Sequence, residues 1–423
     1  MQCETIVLGG DPERLADALR DLVPAGITVS EAVAEIIAQV RGHGDAAVLD
    51  YTRRFDTRGT DPRPLRVTDA ELAGAERGLD PVIARGIDTA MENVRRVAEA
   101  GLGEERAVVF GGHEVTLRET PVERAAVYVP GGRAPYPSTV VMGVVTARVA
   151  GVEDVAVCAP PGAQNDIDGV VLAACRLAGA SRVYRMGGAQ AVAALAFGTE
   201  SVTAVDVIVG PGNLYVQEAK RQVFGQVGID GFAGPSDLLA IADPDVDPEP
   251  LALDLLAQAE HGPGTLVIGV STSQTLLGEL ATRINQGPDT GALARLVHAD
   301  TNEEALRLAQ AFAPEHLELI GDHAEQLAAD ATHAGCLFVG RSAATAFGDY
   351  IAGSNHILPT NGAARFASAV SPGHFRRRFS EVRIDRGSGA RALARLAAPV
   401  ARAEGFELHA RSMEARIRDN GTR

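Results

Sequence analysis

Residues 154–230 read DVAVCAPPGAQNDIDGVVLAACRLAGASRVYRMGGAQAVAALAFGTESVTAVDVIVGPGNLYVQEAKRQVFGQVGID. Short apolar runs at 154–160, 182–186, 205–209 and 227–230 have strand length. Between them, 170–177, 188–197 and 214–224 have helix length, the last two opened by Gly187-Gly188 and by Gly210-Pro-Gly-Asn213. Strands alternating with helices of about 10–15 residues make βαβ units and a parallel sheet. Ligands of such sheets bind at the carboxyl ends of the strands, where these glycine turns lie.

Working outward, the run 125–130 ends in Pro-Gly-Gly and a helix is expected over 138–150. Upstream, 28–56 reads as helix: Ser30 can cap it, and Val33, Ile36, Ile37 and Val40 share a face. A break at Gly42–Gly44 precedes a second face of Val48, Tyr51 and Phe55, then a loop with Pro62 and Pro64, then a helix over 69–100. Downstream, 237–372 repeats the alternation less cleanly. Strands are expected at 238–242, 265–269 and 336–339, and helices at 251–260, 303–312 and 314–319. From about 373 the chain is Arg-rich and reads as helix with no strand pattern.

At 423 residues and 46% hydrophobic, two or three domains are expected. The formal net charge of -16 repels nucleic acid and anionic membranes. No apolar run is long enough to span a bilayer, and the acidic start MQCETIVLGGDPER predicts no signal peptide. Cys3, Cys158, Cys175 and Cys336 form no C-x-x-C pair and read as reduced thiols of a cytoplasmic protein. Lys220 is the only lysine, so a P-loop is excluded and a Schiff-base enzyme would have to use that residue.

Four constellations could carry chemistry. Gln258 and His261 lie three apart at a helix end stopped by Gly262-Pro263. Pro314 suits a first helical position, which would put Glu315 and His316 in a first turn that favours proton-accepting forms. Asp349 and His356 bracket a loop with Gly353. Glu404 and His409 sit near the C-terminus. On spacing alone the plainer readings, a helix end, an acidic turn, a polar loop and a solvated helix, are favoured. Gln258, His261, Asp349 and His409 together would form an N/O ligand set without thiolate, which suits Zn²⁺ in a catalytic site. The fingerprint G-x-G-x-x-G is absent, and the glycine turns alone are weak support for a dinucleotide. The Arg376–Arg378 run reads as solvated.

Seven ordered segments resemble the histidinol dehydrogenase family: 128–142, 187–200, 210–223, 227–243, 257–263, 313–319 and 348–362. The resemblance implies an α/β protein with two incomplete, atypical Rossmann-like parallel-sheet domains, a helical N-terminal segment and a helical C-terminal dimerisation segment. The expected boundaries are 1–25 for the N-terminal segment and 26–127 with 237–372 for a first domain carrying metal and catalytic residues. An inserted NAD-binding domain would span 128–236, and the dimer segment 373–423. The resemblance further implies a cytoplasmic, zinc- and NAD-dependent homodimer, with one Zn²⁺ per subunit, that oxidises L-histidinol through L-histidinal to L-histidine. Gln258, His261, Asp349 and His409 match the zinc ligands, and Glu315 and His316 the catalytic pair. Ser236 and Glu404 match substrate contacts, shared with the ligand positions and His316. Tyr128, Gln190 and Asn213 match NAD contacts, and His356 has a supporting role. The C-terminal segment would cross to the partner subunit, bringing Glu404 and His409 to its site. Asp237 stands where Glu is usual, Val207 where Lys is common and Thr146 where Pro is common. A relative acting on another small alcohol, or a metal-dependent binder without redox activity, are the alternatives.

Overall fold

The computed structural model describes residues 3–23, 28–131, 134–162, 164–232, 234–385 and 388–417. They divide into a first unit, 1–101 with 122–375, and a second, 102–121 with 376–423.

In the first unit the alternation at 154–230 builds a five-stranded parallel sheet. Its spatial order is Arg182–Arg185, Asp154–Ala159, Arg124–Tyr128, Val207–Val209, Gly228–Ile229. The inner strands are Val- and Ala-rich because both faces are covered. Ala125 pairs with Val155 and Val127 with Val209, all without solvent exposure. One face packs on the continuous helical stretch 137–149 and on Gly169–Leu177. Gly143 is required there, since a Cβ would lie 2.5 Å from Val127 Cγ1. The other face packs on Gly188–Phe197, Leu214–Val223 and Ser30–Phe55. The expected break in that last helix is a kink at Gly44 (φ 53°). The region 69–100 is two helices, Asp69–Arg77 and Pro81–Ala100, each capped by the residue before it, Thr68 and Asp80.

The second sheet of this unit has six parallel strands in the order Cys3–Val7, Leu293–His298, Leu266–Ser271, Asp237–Ala242, His316–Ile320, Cys336–Val339. Both sheets wind alike: the first strand is central, the next two step to one side and the last two to the other, with Cys3–Val7 added at an edge. Three sequence expectations change here. The N-terminal segment carries a strand ahead of its helix Pro12–Asp21. Residues 30–100 hold helices that pack against the five-stranded sheet, and Arg124–Tyr128 is its central strand. Finally, 316–320 is strand, not helix: Leu317 and Leu319 alternate with His316 and Glu318, a period of two, and Ala313 in a left-handed turn (φ 48°) has already ended the preceding helix.

The second unit is a three-stranded antiparallel sheet, Arg376–Ile384, His113–Pro121 and Arg106–Phe110, with helices Ser388–Ala403 and Glu407–Glu414. The C-terminal region is therefore not wholly helical. The Arg376–Arg378 run is not simply solvated either. Across the strands Arg376 and Arg378 reach Glu119 at 3.4 and 2.8 Å, and Arg118 reaches Glu381 at 2.7 Å.

Candidate active site

A cleft of about 660 Å³ in the first unit is bordered by Pro130 and Pro211 on one side and by Ser236, Glu315, His316 and Asp349 on the other. The five-stranded sheet meets it at the carboxyl ends of its strands, as expected. The six-stranded sheet meets it at the opposite edge, because Ser236 precedes Asp237–Ala242 and Glu315 precedes His316–Ile320. Pairing of these neighbouring strands, His316 opposite Leu238, brings residues nearly eighty positions apart into one network.

That network is buried and directional. The Gln258 Nε2 donates to Ser236 Oγ at 2.5 Å, and Ser236 Oγ in turn donates to Glu315 Oε2. The amide N–H of Asp237 adds a bond to the same oxygen at 3.1 Å. The Glu315 amide donates to Asp237 Oδ1 at 2.6 Å, and Arg20 reaches the other Asp237 oxygen at 4.0 Å. The His316 Nδ1 donates to the Asp237 carbonyl at 3.3 Å, which fixes its tautomer when neutral. Its Nε2 is buried without a hydrogen-bond partner, 3.6 Å from Asp349 Oδ1. The His356 Nδ1 donates to the Asp349 carbonyl at 2.9 Å, and its Nε2 accepts from Thr139 Oγ1 at 3.1 Å.

The electrostatics run against a helix-turn picture of Glu315 and His316. Burial pushes the Glu315 carboxyl up, partly countered by His316 and Ser236. For His316 burial opposes the imidazolium, but the carboxylates of Glu315 and Asp349 outweigh it and raise the group to about 9. Burial also raises Asp349, and its contacts with His316 overcome this and hold it below the usual range. Burial, reinforced by the Glu315 charge, pushes Asp237 up to about 7. These carboxylates thus favour the imidazolium form of His316.

The donor set fits a dication as far as this unit supplies it. The Nδ1–H of His261 donates to the Gln258 carbonyl at 2.9 Å, which places the lone pair of the neutral ring on Nε2. The bond from Gln258 Nε2 to Ser236 leaves Oε1 as the amide's acceptor end, and Asp349 supplies an ionised carboxylate. Among the described residues no group of three or more His, Cys, Asp or Glu is assembled for a metal. His409 lies in the second unit on helix Glu407–Glu414, exposed beside Phe406, and Glu404 is exposed just after helix Ser388–Ala403.

The three expected cofactor contacts surround the glycine turns. Tyr128 is buried, and its hydroxyl accepts the Gly188 amide at 3.0 Å. Gln190 is buried, its amide 3.4 Å from Asp56. Asn213 caps helix Leu214–Val223 through the amides of Tyr215 and Val216 at 3.0 and 3.2 Å. Gly132, part of the first glycine turn, lies outside the described residues. Sequence reading did not single out Asp56 or Glu318, and it noted Asp237 only as a departure from the family pattern. Burial raises these carboxyls, to about 7 for Asp56 and about 8 for Glu318. Glu318 was legible in principle, through the His-Leu-Glu-Leu alternation that puts it on the same strand face as His316.

The histidinol dehydrogenase family model matches residues 25–417. The chain belongs to the histidinol dehydrogenase family. The histidinol dehydrogenase of Parasynechococcus marenigrum is 44% identical over 394 residues, covering 90% of each chain. That of Pseudomonas aeruginosa is 42% identical over 405 residues, covering 93% of this chain and 92% of that protein. The crystal structure of histidinol dehydrogenase from Elizabethkingia anophelis superposes with a TM-score of 0.91 at 29% identity, covering 99% and 98% of the two chains. Among the described residues no helix is long and apolar enough to cross a membrane, and all four cysteines are free.

Proposed function

We propose that this protein catalyses the four-electron, NAD-dependent oxidation of L-histidinol through L-histidinal to L-histidine. The observation that carries the reading is the convergence of Ser236, Gln258, Glu315, His316 and Asp349 at one end of a cleft whose other wall is the glycine turns. Gln258, His261 and Asp349 would hold one Zn²⁺ per subunit, completed by His409, which with Glu404 would come from the neighbouring copy in a homodimer. A second copy suits the second unit, which exposes Val108, Val109, Phe110, Leu396, Val400 and Leu408. When bound, Zn²⁺ supplies an anchor for the substrate's nitrogen atoms and NAD the hydride acceptor.

The chain's own residues then divide the work. Ser236 and the ligand positions orient the substrate, so that the reacting carbon is presented to the glycine-turn wall. The proton goes to His316 Nε2, the buried atom without a hydrogen-bond partner. Engagement of Asp349 with a cation would remove one of the two carboxylate charges, the other being that of Glu315, that favour a proton on His316. Glu315, with a raised pKa and a bond from Ser236, activates the water that adds to the aldehyde. After His316 has passed its first proton to solvent, the aldehyde hydrate would give up the second hydride to a second NAD⁺, and His316 would again accept a proton. Tyr128, Gln190 and Asn213 would support NAD on the opposite wall, and His356 would steady Asp349.

The test is stoichiometric. Purified protein with Zn²⁺, NAD⁺ and L-histidinol is expected to form two NADH per histidine. Accumulation of histidinal as final product removes the four-electron reading. Turnover of another small alcohol without turnover of histidinol reassigns the substrate, and binding without any NADH absorbance removes the redox function.

A further inference from the structure

Lys220 is the one lysine among 39 cationic Lys and Arg residues, and the reaction outlined above gives it no part. Its side chain is 1% exposed, inside the helix that the Gly210-Pro-Gly-Asn213 turn opens. The ammonium donates to the Gly210 carbonyl at 2.9 Å and to Asp230 Oδ1. The other Asp230 oxygen accepts the Gly210 amide at 2.7 Å. One buried ion pair therefore holds both backbone polar groups of a single glycine. That glycine has φ 120° and no room for a side chain, since a Cβ would sit 2.1 Å from the Tyr128 carbonyl oxygen. The far end of the turn is tied separately, by the Asn213 cap and by Gln217 Nε2 on the Gly212 carbonyl at 3.4 Å.

The place matters. Gly210 follows Val207–Val209 and Pro130 follows Arg124–Tyr128, the two adjacent strands where the winding of the five-stranded sheet reverses. Ligands of parallel sheets bind at the carboxyl end of that reversal. Pro130, Pro211, Gly212 and Asp230 all border the cleft. A compact ammonium on an unbranched stem can serve the carbonyl and the carboxylate in a space that a planar guanidinium would overfill. That explains why a chain that uses arginine everywhere else keeps a lysine here.

We propose that the Lys220–Asp230 pair is a positioning element for the cofactor wall. It fixes the Gly210 turn, and through the turn sets affinity for the dinucleotide without touching the substrate. This rests on the reading of the cleft as a histidinol and NAD site. Lys220 is a positioning residue: it acts through backbone, not on reacting atoms.

The test uses the full-length, zinc-loaded protein and measures binding directly. Variants are Lys220→Met, Lys220→Arg, Asp230→Asn and the double variant Lys220→Met/Asp230→Asn. The double variant leaves no uncompensated buried charge, so it keeps the fold testable if a single variant does not fold. Titration calorimetry with NAD⁺ is expected to give a Kd raised by about tenfold or more in Lys220→Arg and in the double variant. The Kd for L-histidinol and the zinc content should stay within about twofold of wild type, a split that general destabilisation would not produce. Amide exchange read by mass spectrometry on the peptide containing Gly210 should speed up in the same variants without ligand. A double variant that binds NAD⁺ with the wild-type Kd, or that loses both ligands by the same factor, overturns the inference. Wild-type protein that binds no NAD⁺ overturns the functional reading and the cofactor assignment with it. The exchange arm still reports separately whether the pair holds the turn.

Discussion

The two parallel sheets share one winding but meet the cleft by opposite edges. The five-stranded sheet offers the carboxyl ends of its strands, and there the cleft is lined by the prolines and glycines of the turns with Phe224, Ile229 and Asp230. The six-stranded sheet offers the amino ends of Asp237–Ala242 and His316–Ile320, and there it is built from titratable side chains. At a carboxyl edge the following turn and helix N-terminus present amide groups with little side-chain bulk, which suits an extended dinucleotide. At the amino edge, residues entering adjacent strands are clamped by the ladder, as Glu315 and Asp237 are by each other's amides. Rigid placement of acid and imidazole is what proton transfer needs. On the proposed function, one topology would serve two tasks.

The sharpest way to break this division is to remove the imidazole. His316→Asn is expected to lower kcat for histidinol oxidation by about 10²- to 10⁴-fold, with zinc content and NAD⁺ affinity unchanged. Steady-state kinetics with metal analysis checks this, and a comparable loss in NAD⁺ binding would show that the two walls are not separable. Next in size, His261→Ala is expected to weaken zinc by about 100-fold or more. Competition with a chelator reads the affinity, and full zinc occupancy after dialysis would remove His261 from the ligand set.

On the backbone wall the effects should be smaller and of another kind. Tyr128→Phe takes the acceptor from the Gly188 amide. The expected cost is about 1 kcal/mol, or roughly fivefold in NAD⁺ Kd, with zinc retained. A fall in zinc content instead would blur the comparison. The smallest effect concerns Asp56, whose carboxyl burial raises from 3.8 to about 7. A group raised on folding contributes stability below its unfolded value, and that contribution fades as pH climbs through the folded value. Wild-type protein should therefore lose stability between about pH 4 and pH 7 relative to Asp56→Asn. The variant's Tm advantage is expected to grow to about 2 °C at pH 8. Melting curves at several pH values test it, and an offset independent of pH would discount the raised carboxyl.

The legibility of the sequence follows the same division. The carboxyl-edge wall could be read directly: the apolar runs at 154–160 and 182–186 and the turns at Gly187 and Gly210 match the strands and helices found. Glycine and proline punctuate the chain locally, so a local reading suffices. The side-chain wall depends on register between distant strands, and no spacing rule discloses that Glu315 will meet Ser236 and Asp237. There the local signal also misled, since Ala-Pro-Glu-His suits a helix start while burial of Leu317 and Leu319 made a strand. The family resemblance grouped Ser236, Gln258, Glu315, His316 and Asp349, which the fold brings together, because it carries that long-range information. The strand Arg376–Ile384 was missed because its partner, His113–Pro121, lies more than 250 positions away and its stabilising pairs are between charged side chains.

The solitary lysine has a practical corollary. With its ammonium enclosed, the one lysine of this sequence offers acylating reagents no accessible ε-amine in the folded protein. Acylation of Lys220 should therefore report unfolding of the Gly210 turn rather than modify the native protein.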